Sequence, residues 1–457
     1  MILADKINLI DQAASLELQG TVAEVRGLAV RVADLPVPIG SMVRIVPKHG
    51  RGGGLDGEVV GFDRDQTIIM PLGSTAGVGR GDPVVAEQFA RLVWIGDGVL
   101  GRVLDGLGRP IDGRGPVADT APRPLVPPPV DPLDRPLIDT PLATGIRAID
   151  ALISVGRGQR VGVFSAPGLG KSTLLGMMAR HTTADVSVIA LVGERGREVR
   201  DFIENHLGER GIERCAVVCA TADEPALLRI RAAMVATAIA EFFRDQGKDV
   251  LLIMDSVTRL CQAQRQVGLA AGEPPATKGY PPSVFAMLPS LLERSGRTGK
   301  GSITGFYAVL VEGDDLNEPI SDATRGILDG HILLTQNLVS RGHWPAIDVL
   351  GSISRVTPDV IDPDHDAARR EVLRLVSAYQ QVEDLLNIGA YATGSNNEFD
   401  LAITCKPVID LLLQQGRNES VGKGDFASAR KLLLALTQQI QTAKQQLQKP
   451  QKRAMTV

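Results

Sequence analysis

The chain is poor in cysteine and in aromatic residues, and it contains no long apolar run. The four cysteines among its 457 residues form no CxxC pair and no zinc-ligand spacing, which excludes a disulfide-stapled fold and a zinc site. Apolar runs such as residues 250–254 are far shorter than the roughly 20 residues that cross a bilayer. The first residues hold an early acid and no basic stretch before an apolar run, so we expect no secretory signal. We therefore expect a cytoplasmic protein.

Charge of either sign is not in excess. The chain has 49 basic and 53 acidic side chains, a net charge of -4, and only 4% aromatic residues. A protein that coats nucleic acid or an anionic membrane needs a basic surface, and a single-strand binder also needs aromatic platforms. These functions are disfavoured, and we expect no nucleic-acid partner. A chain that is 44% apolar is not disordered, and its length predicts roughly three domains.

The hydrophobic pattern changes twice along the chain. Short apolar stretches separated by Gly, Pro and Asp predict a small β-barrel over residues 20–95. Seven prolines within residues 121–136 predict an extended connector without regular helix or sheet. Over residues 96–365, β-branched strands alternate with helical stretches, which predicts an α/β domain with a parallel sheet covered on both faces. Amphipathic helices alone predict a helical domain over residues 366–457.

A glycine-rich segment, FSAPGLGKSTLL at residues 164–175, follows one predicted strand and opens a helix. It matches GxxxxGK[ST] except at the first glycine, where Ser165 stands. Backbone N–H groups curled at a helix N-terminus bind phosphate, a lysine reaches the terminal phosphates, and a hydroxyl binds magnesium. The segment therefore predicts a nucleotide site built from seven consecutive residues: Pro167, Gly168, Leu169, Gly170, Lys171, Ser172 and Thr173.

Two acids end predicted strands of the same domain. Asp255 closes the strand DVLLIMD and is a candidate to hold magnesium with Ser172. Glu194 follows the strand VSVIALVG, which places it at the carboxyl edge of the sheet, where it could polarise an attacking water. Glu198, one helical turn further on, is interpreted as a supporting or solvated acid.

These segments resemble, in this order, the ATPases of the flagellar and type III protein-export apparatus, which are relatives of the catalytic subunit of rotary ATP synthases. The resemblance extends from about residue 20 to residue 420 and rests on FSAPGLGKST, GERGRE, LLIMDSVTR, GEPPATKGYPPSVFAMLPSLLERSG, GSITGFYAVLVEGDDLNEP, ILDGHI and RGHWPAIDVLGSISR. It implies an N-terminal barrel, a central RecA-like P-loop ATPase core and a C-terminal helical domain. It also implies magnesium-dependent hydrolysis of ATP.

Carried over by position, the resemblance makes Glu194 the acid that activates water. It places Arg195 and Arg259 around the phosphate pocket, and it makes Arg355 an arginine finger presented to a neighbouring subunit. Trp344, where the family usually has tyrosine, and Tyr391 are implied as the aromatic residues of the adenine pocket. Ser165 agrees with the export branch, in which small residues are usual at that position.

The same resemblance implies an assembly: a homo-oligomeric ring of six subunits, a stalk protein, export substrates with their chaperones, and an export gate at the membrane, where the protein associates peripherally. The resemblance also implies that residues 1–19 dock a regulatory stator protein, and the alternative is that they are a frayed terminus. Three alternatives stay open: a virulence secretion ATPase, a non-catalytic nucleotide-binding subunit of a rotary assembly, and a hexameric nucleic-acid motor.

Overall fold

Six short strands close into an antiparallel barrel in the order β1-β2-β5-β4-β3-β6. The computed structural model describes residues 18–48, 53–88, 91–311, 315–419 and 425–448. Alternate side chains of the strands, such as Val30, Val32 and Val59, fill the barrel and are completely buried. The predicted barrel is confirmed by β1 Gln19–Arg26, β2 Ala29–Ala33, β3 Met42–Ile45, β4 Leu55–Asp63, β5 Gln66–Pro71 and β6 Pro83–Gln88.

Part of the proline-rich connector forms a strand, contrary to the prediction for residues 121–136. β7 (Leu92–Ile95) pairs antiparallel with β9 (Ala121–Pro124) outside the barrel, which ends with β6 rather than at residue 95. Pro122 and Pro124 occupy alternate positions, so their nitrogens, which lack a proton, face away from β7. A strand that is paired on one side only tolerates proline when the proline nitrogens, which cannot donate a hydrogen bond, all face its unpaired side.

The central domain is built on one sheet in the order β19-β18-β12-β17-β15-β13-β14-β8, with β16 paired to β17. Six of these strands, β12, β13, β14, β15, β17 and β18, run parallel to one another, as the alternation of strands and helices predicts. The edge strand β19 was not predicted, because Gly351 interrupts its alternation, and it runs antiparallel to β18. The strands of this domain are β8 Val103–Leu104, β10 Pro141–Leu142, β11 Val155–Gly156, β12 Arg160–Ser165, β13 Val186–Glu194, β14 Cys215–Thr221, β15 Asp249–Asp255, β16 Gly296–Arg297, β17 Ser302–Leu310, β18 Gly330–Leu334 and β19 Ile347–Ser354, of which β10 and β11 pair only with each other.

Helices pack on both faces of this sheet, as the strand and helix alternation predicted. A π-helix, Phe202–Leu207, joins α3 to α4. The helices of the domain are α1 Arg147–Leu152, α2 Lys171–His181, α3 Gly196–Asp201, α4 Gly208–Ile212, α5 Ala226–Asp245, α6 Val257–Ala270, α7 Pro282–Leu292, α8 Pro319–Ile327, α9 Gln336–Ser340 and α10 Thr357–Val360, with 3-10 turns at Asp97–Val99, Pro132–Asp134 and Thr277–Gly279.

The chain ends, within the described residues, in three long helices: α11 Pro363–Asn387, α12 Asn397–Leu413 and α13 Phe426–Gln448. Asp362 and Asn396 cap the first two by accepting hydrogen bonds from first-turn N–H groups. This confirms the helical domain. Among the described residues, no helix has the length and apolarity needed to span a bilayer. The predicted partner-binding segment, residues 1–19, lies outside the described residues except for its last two positions.

Candidate functional site

The phosphate loop connects β12 to α2. Gly168 and Gly170 have φ angles of 84° and 81°, in the left-handed region that favours glycine. Leu169, between the two glycines, has a buried side chain that packs against the core and holds the turn in place. Pro167 and Ser172 are exposed, and Ser165, at the position of the missing glycine, is buried at the end of β12. The loop therefore presents N–H groups and a hydroxyl at a helix N-terminus, as an anion site requires.

Lys171 and Asp255 form an ion pair at the carboxyl edge of the sheet. Asp255 ends β15, one strand removed from β12, because β17 lies between them. Both side chains are nearly buried, with 11% and 2% of their surfaces exposed. A buried pair of this kind is costly to separate unless other charges replace the partners. Nucleotide phosphates for Lys171 and a metal ion for Asp255 are such replacements.

Glu194 lies beside this pair, because β13 is the neighbour of β15. Its carboxylate is 3.3 Å from Nε of Arg259 on α6. Burial raises the pKa of Glu194 to about 7, with further contributions from the negative charge of Asp255 and from a hydrogen bond to Glu198. A carboxyl group with this pKa can take up a proton near neutral pH, which an ordinary exposed glutamate does poorly.

Glu198 and Arg195 form the outer rim of the site. Nη1 of Arg195 is 2.9 Å from a carboxylate oxygen of Glu198, and the Arg195 side chain is largely exposed. The hydrogen bond with Glu194 lowers the pKa of Glu198, so Glu198 is the ionised member of the pair. The structure therefore brings Arg259 into direct contact with Glu194. Arg195 lies further from Glu194, because it binds Glu198 instead.

The donor set fits magnesium shared with a nucleotide. Within the described residues there is no cluster of three or more His, Cys, Asp or Glu side chains that could hold a metal alone. The Ser172 hydroxyl, at the start of α2, and the Asp255 carboxylate, at the end of β15, are two hard oxygen donors of the site. Magnesium in phosphate sites is usually held by one or two protein oxygens, with phosphate oxygens and water completing the shell. Two protein donors are therefore sufficient.

A cavity of about 460 Å³ opens beside the phosphate loop. Trp344, which precedes β19, forms one wall. Its ring lies so close to the loop that a Cβ on Gly170 would be 2.8 Å from Cζ3 of the indole. The lining residues are Gly168, Leu169, Gly170, Thr173, Leu174, Met177, Leu334, Trp344, Pro345, Ala346, Gln415, Gly416 and Arg417. The cavity combines an aromatic face with the loop and thus suits a nucleotide base.

Sequence reasoning missed the wall formed by residues 415–417. The Gln415 N–H donates to the Trp344 carbonyl (2.9 Å), and its side chain accepts from the Arg147 N–H (2.9 Å) and donates to the Gly145 carbonyl (2.8 Å). The segment after α12 is thereby held against the core. In the sequence this segment is marked only by Gly416, three residues after the last residue of α12, and a glycine near a helix end is too common to indicate a pocket.

The expectation that Tyr391 completes the pocket is corrected by the structure. Tyr391 lies in the turn between α11 and α12, where its hydroxyl donates to the Asn396 carbonyl and to Asp400. The 17 residues of α12 separate this turn from the pocket wall, a distance of about 25 Å at 1.5 Å per residue. Tyr391 packs edge-on against Phe399 instead.

Arg355 lies at the end of the sheet where the parallel strands begin, whereas the phosphate loop lies at the end where they finish. Its N–H donates to the Asp329 carbonyl at 3.0 Å, and Ser354 pairs with Gly330 at the beginning of β18. The phosphate loop follows the far end of β12, about 17 Å away for five residues of strand. An arginine side chain cannot span that distance, so Arg355 does not reach the phosphate loop of its own chain.

Comparison with known proteins agrees with this architecture. Residues 145–354 match the ATP synthase alpha/beta family, nucleotide-binding domain, and residues 22–87 match its beta-barrel domain. Residues 361–433 match the T3SS EscN ATPase C-terminal domain. The flagellum-specific ATP synthase of Bacillus subtilis is 48% identical over 413 residues, which cover 90% of this chain and 94% of that protein.

Secretion ATPases are equally similar. The SPI-2 type 3 secretion system ATPase of Salmonella typhimurium is 50% identical over 366 residues, 80% of this chain and 84% of that protein. The assembled ATPase EscN of the enteropathogenic E. coli type III secretion system superposes with a TM-score of 0.85 and 42% identity, over 91% of this chain and 99% of EscN. The chain therefore belongs to the ATP synthase alpha/beta family, in its branch of flagellum-specific and type III secretion ATPases, which are P-loop enzymes that hydrolyse ATP.

Proposed function

We propose that this protein hydrolyses magnesium-bound ATP to energise protein export through a flagellar type III apparatus. The observation that carries the proposal is the group at the carboxyl edge of the sheet: a phosphate loop with its lysine, Asp255 beside it, and a buried glutamate with a raised pKa. Family membership supports the export role.

Each group of residues in the site has its own role in binding or hydrolysing ATP. The N–H groups of the phosphate loop and Lys171 bind the terminal phosphates, while the Trp344 wall holds the base. Ser172 and Asp255 would hold magnesium, which neutralises charge on the phosphate oxygens when it is bound. Glu194 orients the attacking water and accepts its proton, and Arg259 holds the Glu194 carboxylate in place.

A non-catalytic subunit of a rotary assembly is the main alternative, and Glu194 argues against it. Such a subunit needs to bind nucleotide but needs no base at the edge of β13. In this chain an acid stands there, buried and in contact with Arg259. A nucleic-acid motor is disfavoured by the scarcity of aromatic residues and the net negative charge.

Percentage identity does not separate flagellar from virulence export. Flagellum-specific relatives such as that of Pseudomonas aeruginosa are 48% identical, and the type 3 secretion ATPase of Xanthomonas euvesicatoria is 49% identical. We retain the flagellar assignment because flagellar relatives cover more of the chain, 92% against 84%. The proposal is tested by restoring swimming in a flagellar ATPase deletion strain, and restoration of injectisome secretion alone would contradict it.

We propose further that the protein works on the cytoplasmic side as a ring, in which Arg355 acts on a neighbouring subunit. Its proposed partners are a stator protein bound to residues 1–19, a stalk protein, export substrates with their chaperones, and the export gate. EscN has been solved with its central stalk EscO, and this chain superposes on that EscN with a TM-score of 0.84. Deletion of residues 2–18 is expected to leave basal hydrolysis intact and to abolish co-purification with the stator protein. Unaltered co-purification would contradict docking at this segment.

Hydrolysis is tested with two variants and one control. Lys171→Ala is expected to abolish magnesium-dependent phosphate release, because the loop then lacks its cation for the terminal phosphates. Glu194→Gln is expected to keep ATP affinity while losing turnover, since the amide keeps the shape but accepts no proton. Lys248→Ala, at an exposed lysine, is the matched control and should retain the parent rate. Parent-rate turnover by Lys171→Ala would contradict the assignment.

A further inference from the structure

Gln415 is buried beside the base cavity, and its carboxamide is fully engaged within the chain. The residue is 4% exposed and lines the cavity. Its Oε1 accepts from the Arg147 N–H at 2.9 Å, and its Nε2 donates to the carbonyls of Gly145 (2.8 Å) and Glu419 (2.9 Å). A carboxamide has two N–H donors, and both are committed here to backbone carbonyls. The Gln415 side chain therefore does not donate to the edge of a base, and it acts on a nucleotide only through its neighbours.

The turn that receives the Gln415 side chain is fixed to the helix of the phosphate loop. The buried Asp150 carboxylate accepts from the N–H and the hydroxyl of Thr144 (2.8 and 2.7 Å) and from the Gly145 N–H (3.0 Å). Gly145 packs against the end of α2, because a Cβ on this glycine would lie 2.3 Å from Cβ of His181. Since α2 begins at the phosphate loop, the turn and the loop keep one relative position.

The same glutamine holds the backbone of Trp344. The Gln415 N–H donates to the Trp344 carbonyl at 2.9 Å. Trp344 is 42% exposed, so packing covers only part of its side chain. Gln415 thus connects the wall of the base cavity to the turn at residues 144–147, and that turn connects it to α2.

We infer that Gln415 is a positioning residue for nucleotide binding: its carboxamide sets the distance and the angle between the Trp344 ring and the phosphate loop. The inference rests on the proposed function, because it requires that the Trp344 face receives the base of a nucleotide. Aromatic stacking depends on the separation and the tilt of the two rings. A displaced wall therefore weakens contact with the base and leaves the phosphate loop unchanged.

The test compares a ligand that has a base with one that has none. Binding of magnesium-bound ADP and of magnesium-bound tripolyphosphate is measured by titration calorimetry in the full chain. Gln415→Glu keeps the shape of the side chain but replaces the Nε2 donor by a carboxylate oxygen, which repels the Gly145 and Glu419 carbonyls. ADP affinity should fall by about threefold to tenfold, which is no more than the loss of the stacked ring would cause. Tripolyphosphate affinity should stay at the parent value.

Two further variants accompany this comparison. Gln415→Met fills the same volume without a donor or an acceptor, so it should weaken ADP binding in the same range if Gln415→Glu does not fold. Gln439→Glu, the same substitution at an exposed position of α13, is the matched control and should bind both ligands like the parent. In steady-state hydrolysis, the Gln415 variants should raise KM for ATP while kcat stays near the parent value.

A double-mutant cycle with Trp344→Ala separates positioning from general support of the fold. If Gln415 acts through Trp344, Gln415→Glu should change ADP affinity by less than about twofold once the ring is absent, because the two effects are then not additive. Circular dichroism and the urea midpoint show whether each variant is folded.

Four outcomes overturn the inference: parent ADP affinity in the folded Gln415 variants, equal weakening of both ligands, additive effects in the cycle, or loss of the folded state in both Gln415 variants. Failure of the proposed function is seen separately. A parent protein that binds neither ligand contradicts the nucleotide site itself, whereas one that binds ADP without hydrolysing ATP contradicts the catalytic assignment and leaves the binding comparison intact.

Discussion

The pH dependence of hydrolysis should report the protonation of Glu194. This carboxyl group is buried at the end of β13, and its pKa is raised to about 7 chiefly by that burial, with Asp255 and Glu198 adding to the effect. A base must be ionised to accept a proton from water. Activity is therefore present above pH 7 and is lost as the pH falls through this value. The quantity that reports the free enzyme is kcat/KM.

The magnitude follows from the pKa. With a value of about 7, the ionised fraction is about nine tenths at pH 8 and about one tenth at pH 6, so kcat/KM should fall by about tenfold between them. A glutamate with the ordinary pKa of 4.5 would change by only a few per cent over that range. The two expectations are easily distinguished.

The assay is steady-state phosphate release from pH 5.5 to pH 9 at constant ionic strength and excess magnesium, with circular dichroism confirming that the fold persists. Glu198→Gln serves as the comparison. It removes the carboxylate that accepts the hydrogen bond of protonated Glu194, so the acid limb should move to lower pH. A profile that is flat from pH 6 to pH 8 would refute the reasoning, as would an acid limb unaffected by Glu198→Gln.

Three further outcomes follow from the geometry. Arg355→Ala should lower turnover by about 10³ or more, as for arginines supplied in trans, and mixing it with Lys171→Ala chains should restore part of the activity; no recovery despite co-assembly would contradict the shared site. Trp344→Ala should weaken ATP binding by roughly threefold to tenfold, the range of aromatic stacking, while Trp344→Tyr should bind like the parent; equal affinities in a binding titration would place the base elsewhere. Glu58→Gln should reduce the free energy of unfolding by about 3 kcal/mol, because Arg231 of α5, 2.7 Å from the buried Glu58 carboxylate, is then left without its counter-charge; an unchanged urea midpoint would show that the barrel and core do not depend on this pair.

Local patterns in the sequence were sufficient for the fold and for the part of the site that is local. The barrel, the six parallel strands and the helical domain each follow from hydrophobic periodicity, which depends on neighbouring residues. The phosphate loop follows from Gly168, Gly170 and Lys171, which act within one turn. The carboxyl-edge position of Glu194 and Asp255 follows because parallel strands end at the same edge.

Other features depended on how distant segments pack. Tyr391 and Gln415 both belong to the helical domain, and the family resemblance implied Tyr391 as a residue of the pocket. Only the placement of α12 shows that its far end, with residues 415–417, forms the pocket wall, while Tyr391 lies about 25 Å away. The strand β9 likewise forms because β7 pairs with it through Ala121 and Arg123, which alternate with the two prolines, and local sequence does not show that partner.

The charges of the site show the same division. Residue types predicted a base at Glu194, but its pKa of about 7 arises from burial and from Asp255, which lies 61 positions later in the chain. Resemblance predicted an arginine finger, but the antiparallel direction of β19 is what carries Arg355 to the edge away from its own loop. Sequence patterns decide which chemical groups are available and which local turns they form. Burial, electrostatic environment and direction depend on contacts between segments far apart in sequence, and these exist only in the folded molecule.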